Sequence, residues 1–153
     1  MKLTETNMEE KELKAEDIPW GYPRCFNGEC ADKEKCMHHQ AGLLLAEGHY
    51  YGPAVYPIAW QEGHCHCFCE KKLIEKAWGF KKLYNNVPKY LRAEARKSVH
   101  SYLGSGMSAY YRIHNGEKML SPRQQEDIIS IIAQYGNTDG IRFDHYVTDW
   151  NFE

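Results

Sequence analysis

The chain has 153 residues, a length that suits one compact domain or two small modules that share an interface. It has no apolar run of about eighteen residues, and residues 1–17 form a charged stretch without the apolar core of a signal peptide. The composition argues against a membrane protein, and we expect a cytoplasmic location with no membrane partner.

Charge is distributed unevenly, although the net charge is only −2. Residues 1–70 carry 6 basic and 12 acidic side chains (net −6), residues 71–123 carry 12 and 3 (net +9), and residues 124–153 carry 1 and 6 (net −5). The basic block is typical of a surface that binds phosphate groups, although a solvated helical surface gives the same pattern.

The predicted elements of the first half are one helix and one edge strand. Apolar spacing within residues 32–47 predicts a helix that ends before Gly48. Pro53 and Pro57 flank the apolar segment 54–56, which predicts an edge strand because proline cannot donate to a sheet ladder.

Helical periodicity dominates the second half. Apolar residues recur about every 3.6 positions over residues 73–84 and again over residues 88–103, which predicts two amphipathic helices. A short third helix is expected over residues 107–114, between two glycine-containing turns.

The clearest helix boundary lies at Ser121. Ser121 can cap a helix, Pro122 suits the first helical position, and Gln124 completes a capping box. We expect this helix to run to Gly136. The tail at residues 141–147 alternates in polarity and predicts a strand or an extended arm.

Six cysteine residues in the first half are the main indicator of chemistry: Cys25, Cys30, Cys36, Cys65, Cys67 and Cys69. Cytosolic reductants keep such thiols from pairing as disulfides, and four thiolates from two separated groups are a common ligand set for structural zinc. We therefore predict a four-cysteine zinc site in which the first three sulfur atoms are joined by a fourth, with Cys65 as the first choice.

Alternatives to this site stay open. The fourth ligand could instead be Cys67, Cys69, His38, His39, His64 or His66. The metal could be an iron–sulfur cluster, and the cysteines could also be small buried residues with no metal. A Cys–His pair could be catalytic, but nothing marks an oxyanion hole or a third orienting group, so we predict no catalytic residues and no enzyme.

A second pattern lies in the basic segment, at residues 103–121. Leu103 and Gly104 end one helix, a second short helix follows, and an Ile-x-Asn-Gly-Glu element at residues 113–117 closes it. This run resembles the helix-turn-helix of phage-repressor-like DNA-binding proteins. The helix that begins at Ser121 corresponds to the one that follows in that family.

The resemblance implies roles for particular side chains. Met107, Ser108 and Arg112 fall at base-contacting positions, and arginine is a residue type that pairs with guanine. Lys97 is expected to contact phosphate. His100 stands where that family usually has a small residue. The alternative interpretation places the tyrosine and isoleucine side chains of the short helix in an ordinary core and leaves the arginine solvated.

The whole chain is also similar to a family of short uncharacterised proteins of gut bacteria. The similarity rests on Cys25-Phe26, Cys30, Cys36, Cys65, and residues 77–80, 110–112 and 120–122. It implies that the cysteines and the short tyrosine–arginine helix belong to one design, and it implies no activity.

Together these features predict a mainly α protein. A Cys-rich, metal-bound module at residues 18–70 is expected to pack on a small basic helical bundle at residues 71–153, with a helix-turn-helix-like segment, and the two could form one unit. The predicted function is nucleic-acid binding in an accessory or regulatory role, with double-stranded DNA as the partner. The alternatives are a protein-interaction module with structural zinc and a thiol-based redox-responsive protein.

Overall fold

The computed structural model of the chain describes residues 11–104 and 106–153. These residues divide into two compact units. Unit 1 comprises residues 11–73 and 150–153, and unit 2 comprises residues 74–149. Each unit has its own cluster of buried apolar side chains, which means that each has a hydrophobic core of its own.

Among the described residues, unit 1 contains one α-helix and one small hairpin. Helix α1 spans Met37–Leu43, and strand β1 (Trp60–Gln61) pairs antiparallel with β2 (His64–Cys65). The two residues between the strands, Glu62 and Gly63, both have positive φ, at 53° and 77°. Positive φ at both central residues is what a two-residue hairpin turn of type I′ requires.

Both predictions for the first half were too long. The helix predicted over residues 32–47 is confined to α1, and the segment 54–56 forms only a single parallel bridge, from Ala54 to Arg24. Arg24 fixes this region because its buried guanidinium donates hydrogen bonds to the Ala41 carbonyl at 2.6 Å and to His49 Nδ1 at 3.3 Å. A buried cation needs such acceptors, and burial lowers its pKa.

Unit 2 combines helices with a two-stranded antiparallel sheet. Its described elements are helices α2 (Arg92–Leu103), α3 (Met107–His114) and α4 (Pro122–Ile132), together with all but one residue of strand β3 (Leu73–Trp78) and of strand β4 (His145–Trp150). Single turns of 3-10 helix lie at Ala15–Asp17, Pro57–Ala59 and Lys89–Leu91. In the part of the chain that the structure describes, no helix is long and apolar enough to cross a membrane.

Strand β3 replaces the helix predicted over residues 73–84, which was wrong. Leu73 and Ala77 lie on one face of the strand and are buried, whereas Glu75 on the same face is exposed, so burial along β3 does not follow the simple two-residue period. Residues four apart satisfy both the helical period and the strand period, so this spacing could not separate the two. Gly79, with φ at +87°, then ends the strand in a turn.

The helices α2, α3 and α4 lie where the sequence predicts helices. The capping box at α4 is formed: the Gln124 amide donates to Ser121 Oγ at 3.3 Å, and the Ser121 amide donates to Gln124 Oε1 at 3.0 Å. The core of unit 2 lies between these helices and the sheet, and its largest fully buried side chains are Phe80, Leu83, Val87, Val99, Leu120, Ile128, Ile132 and Phe143.

The prediction of a mainly α protein built on a metal-bound module was wrong. Two small antiparallel sheets make the fold a mixture of α and β structure. Within residues 11–104 and 106–153, no group of three or more His, Cys, Asp or Glu side chains could hold a metal ion. The apolar clusters of the two units, rather than a metal ion, form the cores that the structure shows.

Candidate functional site

Two glycine residues define the turn between α2 and α3. Gly104 is the C-cap of α2 with φ at +110°, and Gly106 is the N-cap of α3 with φ at +101°. Residues with a side chain rarely adopt a positive φ of this size, so the backbone favours glycine at both positions. Because glycine has no side chain, Gly106 cannot accept a hydrogen bond from the backbone amides in the first turn of α3. These amides can therefore donate to an external anion.

The inner face of α3 is fixed by buried aromatic contacts. Tyr110 and Ile113 are buried, and the Tyr110 hydroxyl lies 2.9 Å from the Tyr84 hydroxyl. Burial raises the pKa of both tyrosines. The imidazole of His100, on α2, stacks on the Tyr110 ring. His100 therefore joins the two helices through an aromatic contact.

The outer face of α3 is exposed. Met107 is 66% exposed, and Ser108, Tyr111 and Arg112 are exposed as well. At 100° per residue these four side chains share an arc of about 140° on the helix. Tyr111 was not among the predicted contact residues, although the helical period could have placed it there because it lies four positions after Met107.

Lys97 lies beside this face. A shallow hollow of about 430 Å³ at the turn is lined by residues of both helices, including Lys97 and Ser101 from α2 and Met107 from α3. The Arg112 guanidinium forms an exposed ion pair with Glu117, with Nε and Oε2 3.7 Å apart. Exposed pairs of this kind contribute little, so the guanidinium can exchange this partner for another.

The six cysteines are all free thiols and lie in three kinds of surroundings. Cys25, Cys30 and Cys65 line one mostly apolar hollow of about 430 Å³ in unit 1. Cys67 is exposed, and Cys36 and Cys69 are buried. Three of the predicted metal ligands therefore share a hollow, but they do not form a group that could hold a metal ion.

A turn explains why Cys65, Cys67 and Cys69, although close in sequence, lie in different surroundings. The Phe68 amide donates to the Cys65 carbonyl at 3.2 Å, so the backbone bends between these two residues. Cys69 then enters the core, where its Sγ donates to the carbonyl oxygen of Glu153 at 3.1 Å. Burial raises the pKa of the thiols of Cys65 and Cys69, which disfavours the thiolate form that metals bind.

The residues as placed therefore do not fit the zinc site or the iron–sulfur cluster expected from the sequence. Zinc or cluster binding by these cysteines stays a prediction, which elemental analysis of protein purified without added metal, with a Cys30→Ser control, would decide. The proposals for this protein require no metal.

Fold and surface together define a mixed α/β protein of two units, one of which presents an exposed helix beside a glycine turn. The chain belongs to DUF6078, a family of unknown function that matches residues 8–152. No curated protein and no solved structure matches the chain. The expected membership of an uncharacterised family is confirmed, and any activity has to be argued from the residues themselves.

Proposed function

We propose that this protein binds double-stranded DNA through α3, in an accessory or regulatory role. The observation that carries the proposal is the division of α3 into two faces. Tyr110 and Ile113 fix one face in the core, and the other exposes Met107, Ser108 and Arg112 beside Lys97. A rigid helix with an exposed polar and cationic face is the element that major-groove readers present to DNA.

The dimensions of α3 support this proposal. An α-helix with its side chains is about 10–12 Å in diameter, which the roughly 12 Å wide major groove admits, and the eight residues of α3 span about 12 Å along the helix axis. Arg112 can pair with guanine, while Ser108 and Met107 can contact other base edges. These roles follow the resemblance of residues 103–121 to a helix-turn-helix.

Phosphate contacts would come from the glycine turn. Lys97 supplies an ammonium group at the hollow, and the first-turn amides of α3, which Gly106 cannot cap with a side chain, supply further donors. Unit 2 as a whole is only moderately basic, with 11 basic and 8 acidic side chains in residues 74–149 (net +3). We therefore expect binding that is weak at high salt and depends on a few local contacts.

Fluorescence anisotropy with a labelled mixed-sequence duplex at low salt tests the proposal. The double variant Lys97→Ala/Arg112→Ala should weaken binding by about tenfold or more, since it removes a phosphate contact and a base contact. The matched control Lys89→Ala/Arg123→Ala also removes one lysine and one arginine, both exposed, and should retain affinity. Undetectable binding, or an equal loss in both variants, would refute the proposal.

Exposed aromatic rings in unit 1 favour a second candidate function, protein binding. Tyr50 and Tyr51 are 89% and 90% exposed, and Phe26, Tyr56 and Trp60 wall the apolar hollow that holds three of the thiols. Such surfaces are typical of protein contacts. We propose as the alternative that this hollow takes an apolar side chain of a partner protein.

Selection from a random peptide library would test this alternative. Selected peptides should carry apolar side chains and lose affinity for the variant Tyr56→Ser, which changes the hollow of unit 1. The control Tyr90→Ser alters an equally exposed ring in unit 2 and should have no effect. Peptides that bind both variants as tightly as the native chain would exclude the hollow as the contact.

A further inference from the structure

We propose that unit 2 also contains a binding site for a small phosphate-bearing molecule, separate from the DNA surface proposed above. The site is a hollow of about 420 Å³ that the sequence motifs do not indicate. Three separate segments of the chain meet there, and they contribute Lys81, Lys82, His114, Asn115, Asp144 and His145.

The backbone around the two lysines holds the only carboxylate that lines the described hollow. The Lys81 amide donates to Asp144 Oδ2 at 3.0 Å, and the Lys82 amide donates to Oδ1 at 2.8 Å. The Asp144 amide in turn donates to the Gly79 carbonyl at 3.1 Å. Both carboxylate oxygens are thus engaged by main-chain donors rather than by ammonium groups.

The lysine side chains are consequently free for a ligand. Lys81 and Lys82 are exposed, and neither forms an ion pair with a carboxylate among the residues that the structure describes. Both lysines line the same concave surface, and a bound anion there is attracted to the positive charge of each. The hollow is therefore better suited to an anion than to a neutral ligand.

Glycine at position 79 keeps Asp144 in this position. Gly79 has φ at +87°, and a Cβ built there would lie 2.6 Å from Asp144 Cβ and Oδ2. Any larger residue at position 79 would therefore displace the Asp144 carboxylate. The turn, the carboxylate and the backbone of the two lysines are thus held together, while the lysine side chains remain exposed.

Rings form the opposite wall of the hollow. Trp78 stacks on His145, with ring centroids 3.9 Å apart, and it also lies close to Gly116, where a Cβ would be 3.0 Å from the indole. His114 Nδ1 accepts a hydrogen bond from the Phe80 amide at 3.2 Å, which leaves Nε2 to bear the proton of the neutral ring. His114 can therefore donate to a ligand.

This set of groups selects a phosphate. The lysine ammonium groups, a donating imidazole and the side-chain amide of Asn115 offer several donors to one compact, multiply charged acceptor. The volume lies within the range of small-ligand pockets and exceeds what a phosphate ion alone needs. We infer a phosphate monoester, whose phosphate group binds the two lysines, His114 and Asn115 and whose organic part contacts Trp78.

Amide NMR of the full chain tests the site with two probes, inorganic phosphate and phenyl phosphate, against chloride at equal ionic strength. The Asn115 amide and Trp78 indole signals should shift and saturate with both phosphates and not with chloride, and phenyl phosphate should bind more tightly. Lys81→Met/Lys82→Met should weaken binding by about tenfold or more, while Lys89→Met, also an exposed lysine change, should not.

Other outcomes would overturn the proposal. Equal, unsaturated shifts with phosphate and chloride would mean charge screening only. If duplex DNA shifts the Asn115 and Trp78 signals and neither phosphate probe does, Lys81 and Lys82 bind the phosphates of DNA and the hollow is not a small-molecule site. If the phosphates bind and DNA does not, this site stands and the DNA proposal falls.

Discussion

The imidazole ring of His100 stacks on the phenol ring of Tyr110, with centroids 3.9 Å apart and planes inclined by 12°. The pair joins α2 to α3 directly behind the exposed face of α3. Burial, with the positive charge of Arg96 as the smaller cause, lowers the pKa of His100. Packing of α3 is therefore coupled to the protonation state of one histidine.

This coupling makes stability depend on pH. The unfolded chain binds a proton at His100 near the ordinary pKa of about 6.5, whereas the folded chain binds it only at lower pH. The free energy of unfolding should therefore fall as the pH drops below about 6.5 towards the folded pKa, and should be fully present above about 7. Urea unfolding at a series of pH values measures this change.

The variant His100→Phe keeps an aromatic ring beside Tyr110 but cannot titrate. It should lose this component of the pH dependence, while His64→Phe, at an exposed position of unit 1, should keep it. An unchanged pH profile in His100→Phe would show that His100 does not couple protonation to folding.

The turn at Gly104 should tolerate no side chain. Gly104→Ala leaves open space around the new Cβ, so the cost arises from the backbone at φ +110° and should be about 1–3 kcal/mol of unfolding free energy. Gly21→Ala also meets open space but lacks positive φ, and should be close to neutral. Equal stabilities of the two variants in urea unfolding would be inconsistent with the strained turn.

The capping box should contribute measurably to α4. Ser121→Ala removes the acceptor of the Gln124 amide and should lower the free energy of unfolding by about 1 kcal/mol. Ser130→Ala, at an exposed interior position of the same helix, should be neutral or slightly stabilising because alanine is the better helix former. Thermal unfolding of both variants measures the difference. An unchanged stability in Ser121→Ala would show that the Ser121 cap does not stabilise α4.

Thiol reactivity should follow burial. Cys67 should react first with iodoacetamide at neutral pH, and Cys69 should react last because burial raises the pKa of its thiol. Mass spectrometry of the labelled peptides over time measures the order. Labelling of Cys69 as fast as Cys67 would contradict its placement in the core, and it would make Cys69 a candidate for the redox-responsive alternative.

Local signals account for what the sequence predicted correctly. The end of α2 and the starts of α3 and α4 follow from neighbouring residues: Gly104, Gly106, and Ser121 with Gln124. The end of α4 did not follow in this way, because the helix stops at Ile132 and not at Gly136. Strand β3 could not be identified in this way, because its partner β4 lies about 70 residues further along and the buried residues of β3 are four apart.

The sites show the same limit. The spacing of the cysteines did not indicate the turn formed by the hydrogen bond from the Phe68 amide to the Cys65 carbonyl, nor that Cys69 is buried in the core of unit 1. The phosphate hollow combines residues 78–82, 114–115 and 144–145, which are brought together only by the topology of unit 2. By contrast, the exposed face of α3 lies on one helix, where the helix-turn-helix resemblance indicated Met107, Ser108 and Arg112 and helical periodicity could have added Tyr111.

The methyl group of Met107 offers the most direct test of DNA binding by α3. Met107 is exposed on that face, and Met37 is fully buried in the core of unit 1, so methyl-13C methionine NMR provides a probe and an internal control in one sample. Addition of duplex DNA at low salt should shift and broaden the Met107 signal and leave the Met37 signal unchanged. At high salt the Met107 signal should no longer respond to DNA. An unchanged Met107 signal at DNA concentrations that saturate anisotropy binding would place the contact elsewhere and refute the proposed function.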